Sequence, residues 1–475
     1  MLDPEDWAAF RATSHAMLDE AIDRLEGIRE APAWQAVPAE VKARLAQPLP
    51  EEPMELEAVC REFVHAILPY PTGNIHPRFF GWVHGSGTPS GALADFLAAM
   101  MNSNVGGRDH GAVYVERQVI AWARQLFSFP PESSGVLTVG SSTANLIAIL
   151  AARTSLLGPS AREHGIDPSL GRLVGYCSVA THSCVRRAFE VSGLGSESLH
   201  VLPAGGDHRL DPAGLERAIA DDRRRGLRPF LVVGNAGTVD VGAIDPLDAL
   251  ADIAARERLW YHVDGAFGAT AILAPSVAPR LRGIERADSI AFDFHKWLHV
   301  PYDAGCVLVR DGEAHRAAFA TSSPYLTRMP RGTAGGTPWF TDYTIDLSRG
   351  FRALKTWFTI KEHGTKRLGE AIENNVRQAK LLAATIERRA AFELLAPVQL
   401  NIVCFRHKGA GLAGTELDRF NEELVTRLQE SGTAVTSLTT VDGKRAIRVN
   451  ITNHRTRDDD LVVLLDALER IAATI

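Results

Sequence analysis

Cysteine is scarce in this chain: five in 475 residues (Cys60, Cys177, Cys184, Cys306 and Cys404), an odd number with no CxxC pair. That argues against a disulfide framework and a zinc ribbon, and it predicts a reducing, cytoplasmic setting. No apolar run is long enough to span a bilayer, and the N-terminal stretch MLDPEDWAAF is acidic where a secretory leader would be basic and then apolar. An excess of one charge is missing too. With 51 Lys+Arg against 57 Asp+Glu the net charge is −6, so neither nucleic acid nor a membrane is an expected partner. The 16 histidines show no HExxH or comparable spacing, and no metal is predicted. What is present is ordinary globular chemistry, 45% hydrophobic and 23% charged, in a chain long enough for two or three domains.

Element order carries the first positive information. Residues 5–30 place Trp7, Phe10, Met17, Leu25 and Ile28 near one helical face, and a proline-dotted connector (Pro32, Pro38, Pro48, Pro50, Pro53) follows. Such a helix either clasps a second subunit or packs on its own chain. From Gly135 onward, GVLTVG, RLVGYCSVA, SLHVLPA, PFLVVGNAG, LWYHVDG, SIAFDF and GCVLVRD read as short apolar strands. Helical stretches such as ANLIAILAARTSLL and DPLDALADIAARERL separate most of them. The alternation predicts an α/β domain over 76–350 with a mostly parallel seven-stranded sheet covered on both faces. An N-terminal helical segment (1–75) precedes it. A long helical stretch after Leu354, two strand candidates and a terminal helix predict a small C-terminal α+β domain (351–475).

In an open parallel sheet, ligands bind beyond the carboxyl ends of the strands. Four of these strands run into polar groups there: Thr181 and His182, Thr238, Asp264, and His295 with Lys296. Lys296 stands in SIAFDFHKW beside Trp297, where desolvation lowers an ammonium pKa and frees the amine for a Schiff base. Asp264, in VDGAFGA, is a carboxylate at the end of an apolar strand and needs a cationic or proton-donating partner such as a pyridinium nitrogen. It also suits a plain turn cap. Ser141, Ser142 and Thr143 open a helix after a strand and a tight turn, where the macrodipole favours a phosphate. This turn, VGSSTAN, is neither GxxxxGK[ST] nor GxGxxG, which gives nicotinamide chemistry no support there. His182, opening the next helix, suits stacking on a planar ring and reaching a carboxylate.

These motifs resemble the group II pyridoxal-phosphate-dependent decarboxylases. DFHKW with an upstream HVDGAFG carries the likeness, and ERQVIAWARQLF and FRALKTWF extend it from HPRFFGW to RVNITNHRT. The resemblance implies the type I fold of pyridoxal-phosphate-dependent transferases, with pyridoxal 5′-phosphate as cofactor. It makes Lys296 the lysine that bonds the cofactor, Asp264 the pyridinium partner and His182 the ring-stacking histidine. Ala266 packs on the other ring face, Ser141, Ser142 and His295 hold the phosphate, and Thr238 helps hold the cofactor. SRGFRALK matches the stretch whose first arginine lies near the substrate carboxylate, which selects Arg349, with Arg352 as a substitute. SSPYLTR resembles a mobile loop bearing a catalytic tyrosine, Tyr325. The composition of 321–343, with Gly332, Gly335 and Gly336 and no hydrophobic periodicity, agrees with a lid. Trp82 is the substrate-facing aromatic, and His84 and Gly85 stand where aromatic-acid enzymes tend to show Pro-Thr.

The implied reaction converts an amino acid, aromatic in the first instance, to its amine and carbon dioxide, in a homodimer with the active site at the subunit interface. Aldehyde synthesis or transamination on the same fold is the alternative, and a non-catalytic cofactor-binding scaffold is the alternative of another class.

Overall fold

The chain is described by a computed structural model covering residues 2–321 and 323–475. It divides into two compact units, the larger comprising Val83–Ala384 and Ala396–Val403. In that unit all seven expected strands form: β1 (Ser134–Thr138), β2 (Leu173–Ser178), β3 (Leu199–Leu202), β4 (Arg228–Asn235), β5 (Trp260–Asp264), β6 (Ser289–Asp293) and β7 (Gly305–Val309). They build one sheet in the order β1-β7-β6-β5-β4-β2-β3. Pairs β2–β3, β2–β4, β4–β5 and β5–β6 are parallel.

β7 departs from the parallel expectation and runs antiparallel to both β6 and β1. Its connection explains this. A parallel return needs a crossover helix, and the link 294–304, which carries DFHKW's His295 and Lys296, contains none. Two reversals cancel, so β1 points the same way as β6, and the carboxyl ends of β1, β6, β5, β4 and β2 open on one side of the sheet. Leu, Ile and Val side chains buried on both faces hold these strands in place. The helix Ser141–Leu157 lies against the sheet and buries Ala144, Ile147, Ala148, Ile149, Ala151 and Ala152.

The smaller unit collects residues up to Trp82, Thr385–Leu395 and Cys404–Ile475. It carries β8 (Phe392–Leu394), most of β9 (Ile402–His407), β10 (Ser437–Val441) and β11 (Lys444–Asn450), ordered β10-β11-β9-β8. The units therefore divide differently from the sequence boundaries. The N-terminal segment joins the C-terminal sheet because Ala33 N–H donates to the Gly432 carbonyl, Phe80 N–H to that of Val435, and Arg29 pairs with Asp460 at 2.9 Å. The helical stretch Ala353–Arg388 falls mainly in the larger unit, where Asn375 Oδ1 accepts from the buried Trp297 indole at 3.0 Å. That stretch breaks at Gly364, whose φ of 63° is not helical.

A GxGxxG run does occur in the smaller unit, at Gly409–Gly414 between β9 and the helix Gly414–Glu430. It stands beside antiparallel pairs, not in the βαβ unit that dinucleotide binding uses. The helix Trp7–Glu26 buries none of its residues. Among the described residues, no helix is long and apolar enough to cross a membrane.

Candidate active site

The carboxyl ends of the strands bring together most of the residues singled out from the sequence. β5 ends at Asp264 and β6 at Asp293, two residues before His295 and three before Lys296. Trp297, fully buried, anchors the link by its hydrogen bond to Asn375 and its ring contact with Phe267 at 5.9 Å. Lys296 is thereby held with Nζ 2.8 Å from Asp293 Oδ2. Burial pulls the lysine pKa down as expected, but the ion pair with Asp293, helped by Asp264, outweighs it, and the net shift is upward. The sequence expectation of a depressed lysine is thus reversed for the chain alone, because it left out Asp293.

Asp264 is buried, and its hydrogen-bond partners are neutral: Ala266 N–H to Oδ1 at 3.2 Å, Asn145 Nδ2 to Oδ2 at 3.4 Å, and the Cys184 thiol to Oδ2 at 3.9 Å. Burial raises its pKa, opposed by the charge of Lys296 and then by the Ala266 N–H and His182. A carboxylate so placed is suited to a further cationic N–H. Cys184 and Cys306 are also buried, and burial pushes both thiols up, so neither is a thiolate nucleophile.

The turn before the helix Ser141–Leu157 is shaped for an anion. Gly305 lies opposite Asp293 across the β6–β7 pair, and a Cβ there would stand 2.5 Å from Gly140 Cα, so only glycine lets β7 approach the turn this closely. Ser141 Oγ is buried without a hydrogen-bond partner among the described residues, at a helix N-terminus whose first N–H groups are unused by the helix itself. His295 borders it: its Cε1 would be 3.5 Å from a Cβ on Gly140. His295 Nδ1 accepts from Ala304 N–H at 3.0 Å, and burial lowers its pKa, so the ring is neutral with its proton on Nε2. Ser142 is exposed at the same turn. The buried acid facing neutral donors and the orphaned hydroxyl at a helix N-terminus fit a pyridinium and a phosphate, the two polar ends of pyridoxal phosphate.

His182 caps the helix Ser183–Val191, its Nδ1 accepting from Cys184 N–H at 3.2 Å, and its side chain is exposed. Thr238 is buried beyond β4, its hydroxyl accepting from Ala243 N–H at 2.9 Å. Ala266 follows Asp264 and its carbonyl accepts from Asp293 N–H at 3.0 Å.

Four more of the residues singled out from the sequence are placed as follows. The Arg349 guanidinium is buried and held through Nη1 and Nη2 by Glu116, the Val105 carbonyl at 2.8 Å and the Leu137 carbonyl at 2.7 Å, while its Nε has no hydrogen-bond partner among the described residues. Its substitute Arg352 pairs with Asp303 at 2.8 Å. Tyr325 sits in the short turn Pro324–Leu326 and is 75% exposed. Trp82 belongs to the smaller unit, where its carbonyl accepts from Arg448 and Asn450.

The sequence reading also passed over several residues. Asp293 ends an apolar strand just as Asp264 does, so the signal that found one acid would have found the other. Tyr302 packs on the His295 ring at 4.3 Å, and the ring of His84 meets Tyr302 at 6.0 Å. A Cβ on Gly85 would lie 2.0 Å from the His295 carbonyl oxygen, which is why no threonine fits at that position with this backbone.

Comparison with known proteins gives a consistent result. The family model described as the pyridoxal-dependent decarboxylase conserved domain matches residues 38–408. An aromatic-L-amino-acid decarboxylase of Bacillus atrophaeus is 31% identical over 471 residues, covering 98% of this chain and 96% of that protein. A phenylacetaldehyde synthase of Petunia hybrida is 30% identical, covering 94% and 90%. Among solved structures, Oryza sativa TDC with PLP and tryptamine superposes with a TM-score of 0.90 at 26% identity, covering 100% of this chain and 99% of that one.

Proposed function

Because the chain belongs to the pyridoxal-dependent decarboxylase family, we propose that it removes the α-carboxyl group of an L-amino acid, aromatic in the first instance, as carbon dioxide and releases the amine. Pyridoxal 5′-phosphate is the cofactor of the family, and the chemistry it supplies when bound is an electron sink for the bond that breaks at the substrate α-carbon.

The chain's own residues divide the remaining work. Lys296 holds the cofactor covalently through Nζ. Asp264 keeps a proton on the ring nitrogen, which is favourable because a cationic N–H there gives the buried acid a charged hydrogen-bond partner in addition to its neutral ones. His182 and Ala266 take opposite ring faces. Ser141, Ser142 and His295 hold the phosphate, and Thr238 fixes the loop beside it. With Arg349 committed to Glu116, the substrate carboxylate falls to His182. Tyr325 reaches the α-carbon only when its loop closes, and there it delivers the proton that completes the amine.

The observation that carries this reading is that Asp264 ends β5 and Lys296 follows the end of the neighbouring parallel strand β6, where its Nζ is 2.8 Å from Asp293. Likeness to the aromatic-acid enzyme of Bacillus atrophaeus supports the substrate class. The Petunia relative supports aldehyde synthesis as a second reading. Incubating the cofactor-loaded enzyme with a panel of amino acids tests both. Equal yields of carbon dioxide and amine are expected, without hydrogen peroxide. Peroxide with aldehyde would establish the second reading, and no carbon dioxide from any amino acid would overturn the first.

The active unit is proposed to be a homodimer. The helix Pro89–Met101 exposes Leu93, Phe96, Leu97, Met100 and Met101 along one face. The helix Trp7–Glu26 has no fully buried residue and exposes Trp7, Leu18 and Ile22. Phe96→Asp with Met100→Asp is expected to give a monomer in light scattering. An undisturbed dimer would show that this face is not the interface.

A further inference from the structure

Behind Asp264 runs a chain of buried polar side chains that the proposed reaction does not use. His262 stands two residues before Asp264 on β5 and so projects to the same face of the sheet. Its Nε2 is 2.6 Å from Asn145 Oδ1, and its Nδ1 is 2.8 Å from Ser289 Oγ, on the neighbouring strand β6. The indole N–H of Trp260 donates to that same Ser289 Oγ at 2.8 Å. Asn145, on the helix Ser141–Leu157, completes the line with Nδ2 at 3.4 Å from Asp264 Oδ2. His262, Asn145 and Ser289 are fully buried.

The two ends fix the direction of every hydrogen bond. A carboxylate only accepts and an indole N–H only donates, so Asn145 turns its NH₂ group to Asp264 and its Oδ1 to His262, and the Ser289 oxygen, accepting from Trp260, gives its hydroxyl proton to His262 Nδ1. His262 then carries its proton on Nε2 and donates to Asn145 Oδ1. The asparagine amide is thereby held with its NH₂ group, not its oxygen, toward the carboxylate. Burial lowers the His262 pKa to about 3, so the ring is neutral and keeps one donor and one acceptor. The other groups around Asp264 are Lys296, His182, Cys184 and Asp293, and the Cys184 sulfur also accepts from Asn145 Nδ2 at 3.4 Å.

We infer that Trp260, Ser289, His262 and Asn145 form a positioning relay that presents a donor to Asp264 Oδ2 and so holds this carboxylate ionised and aimed at the ring nitrogen of pyridoxal phosphate. Without His262, Asn145 Oδ1 loses its buried donor and the amide is no longer held from that side. The inference rests on the proposed role of Asp264.

The test is the equilibrium dissociation constant of pyridoxal phosphate, followed by fluorescence quenching, together with the visible absorbance and circular dichroism of the bound cofactor. His262→Phe is expected to weaken binding about tenfold, the loss of one hydrogen bond to a charged group, and to change the visible dichroism. Ser289→Ala moves both readouts in the same direction by a smaller amount. His262→Gln, whose amide N–H still reaches Asn145 Oδ1, restores both toward the unaltered protein. A folded His262→Phe with unchanged affinity and dichroism overturns the relay. If that variant does not fold, Ser289→Ala indistinguishable from the unaltered protein overturns it. An unaltered protein that takes up no cofactor at all would instead sink the reading of Asp264.

Discussion

Replacing Arg349 by methionine separates a substrate-binding arginine from a structural one. The guanidinium and the Glu116 carboxylate are both buried, and the same Glu116 also accepts from Leu137 N–H at 3.1 Å. Arg349→Met leaves that carboxylate with one backbone donor and strips a donor from the Val105 and Leu137 carbonyls. Breaking one side of a buried pair costs about 3–5 kcal/mol. The larger unit has roughly 300 residues, so its unfolding entropy is about 0.6 kcal/mol/K and the expected fall in melting midpoint is about 5–8 °C. Calorimetry of the cofactor-free protein measures it. Converting Glu116 to methionine as well removes the stranded charge, and the double variant is expected to recover at least half of the loss. The reasoning is refuted if Arg349→Met melts with the unaltered protein while KM for the amino acid rises about a hundredfold, the loss expected of a charge-paired hydrogen bond to substrate.

Three further outcomes are expected. Asp293→Asn removes the partner that raises the Lys296 pKa, so capture of pyridoxal phosphate near neutral pH becomes faster. Stopped-flow absorbance checks this, and a slower capture would contradict it. Tyr325→Phe is expected to lower amine yield without weakening cofactor binding, measured by product analysis beside the dissociation constant; unchanged turnover would remove the tyrosine from the mechanism. His262 and His315 are buried with pKa values lowered from 6.5 to about 3. The unfolded chain takes up protons first as pH falls below 6.5, so each histidine withdraws about 2 kcal/mol of stability by about pH 5. His315→Phe is expected to flatten the fall of the urea midpoint between neutral and acid pH, and an unchanged slope would show that the ring is protonated in the fold.

Most of the sheet was legible because apolar runs of strand length alternate with amphipathic ones, and all seven strands fall where that pattern puts them. The reversal of β7 was not, since direction depends on the connection rather than on the strand. Lys296, Asp264 and His295 were read from one argument, that polar groups after parallel strands converge, and Ser141 from its place at a helix N-terminus. Arg349 was placed by its position in a motif, and position does not say which acid lies opposite; Glu116 is far away in sequence and adjacent only once folded. Asn145 and His262 lie inside a helix and a strand, with nothing in the sequence to pair them. Their meaning lies in bond directions that only coordinates supply.

The antiparallel hairpin of β6 and β7 has a mechanical consequence. Lys296 rides on a link whose two ends are clamped in register, Asp293 against Gly305, so little chain entropy is left for cofactor capture to remove. The reactive amine behaves as part of the scaffold, not as a flexible arm. Damage to β7, well away from any reacting atom, would therefore loosen the amine as surely as a change beside it.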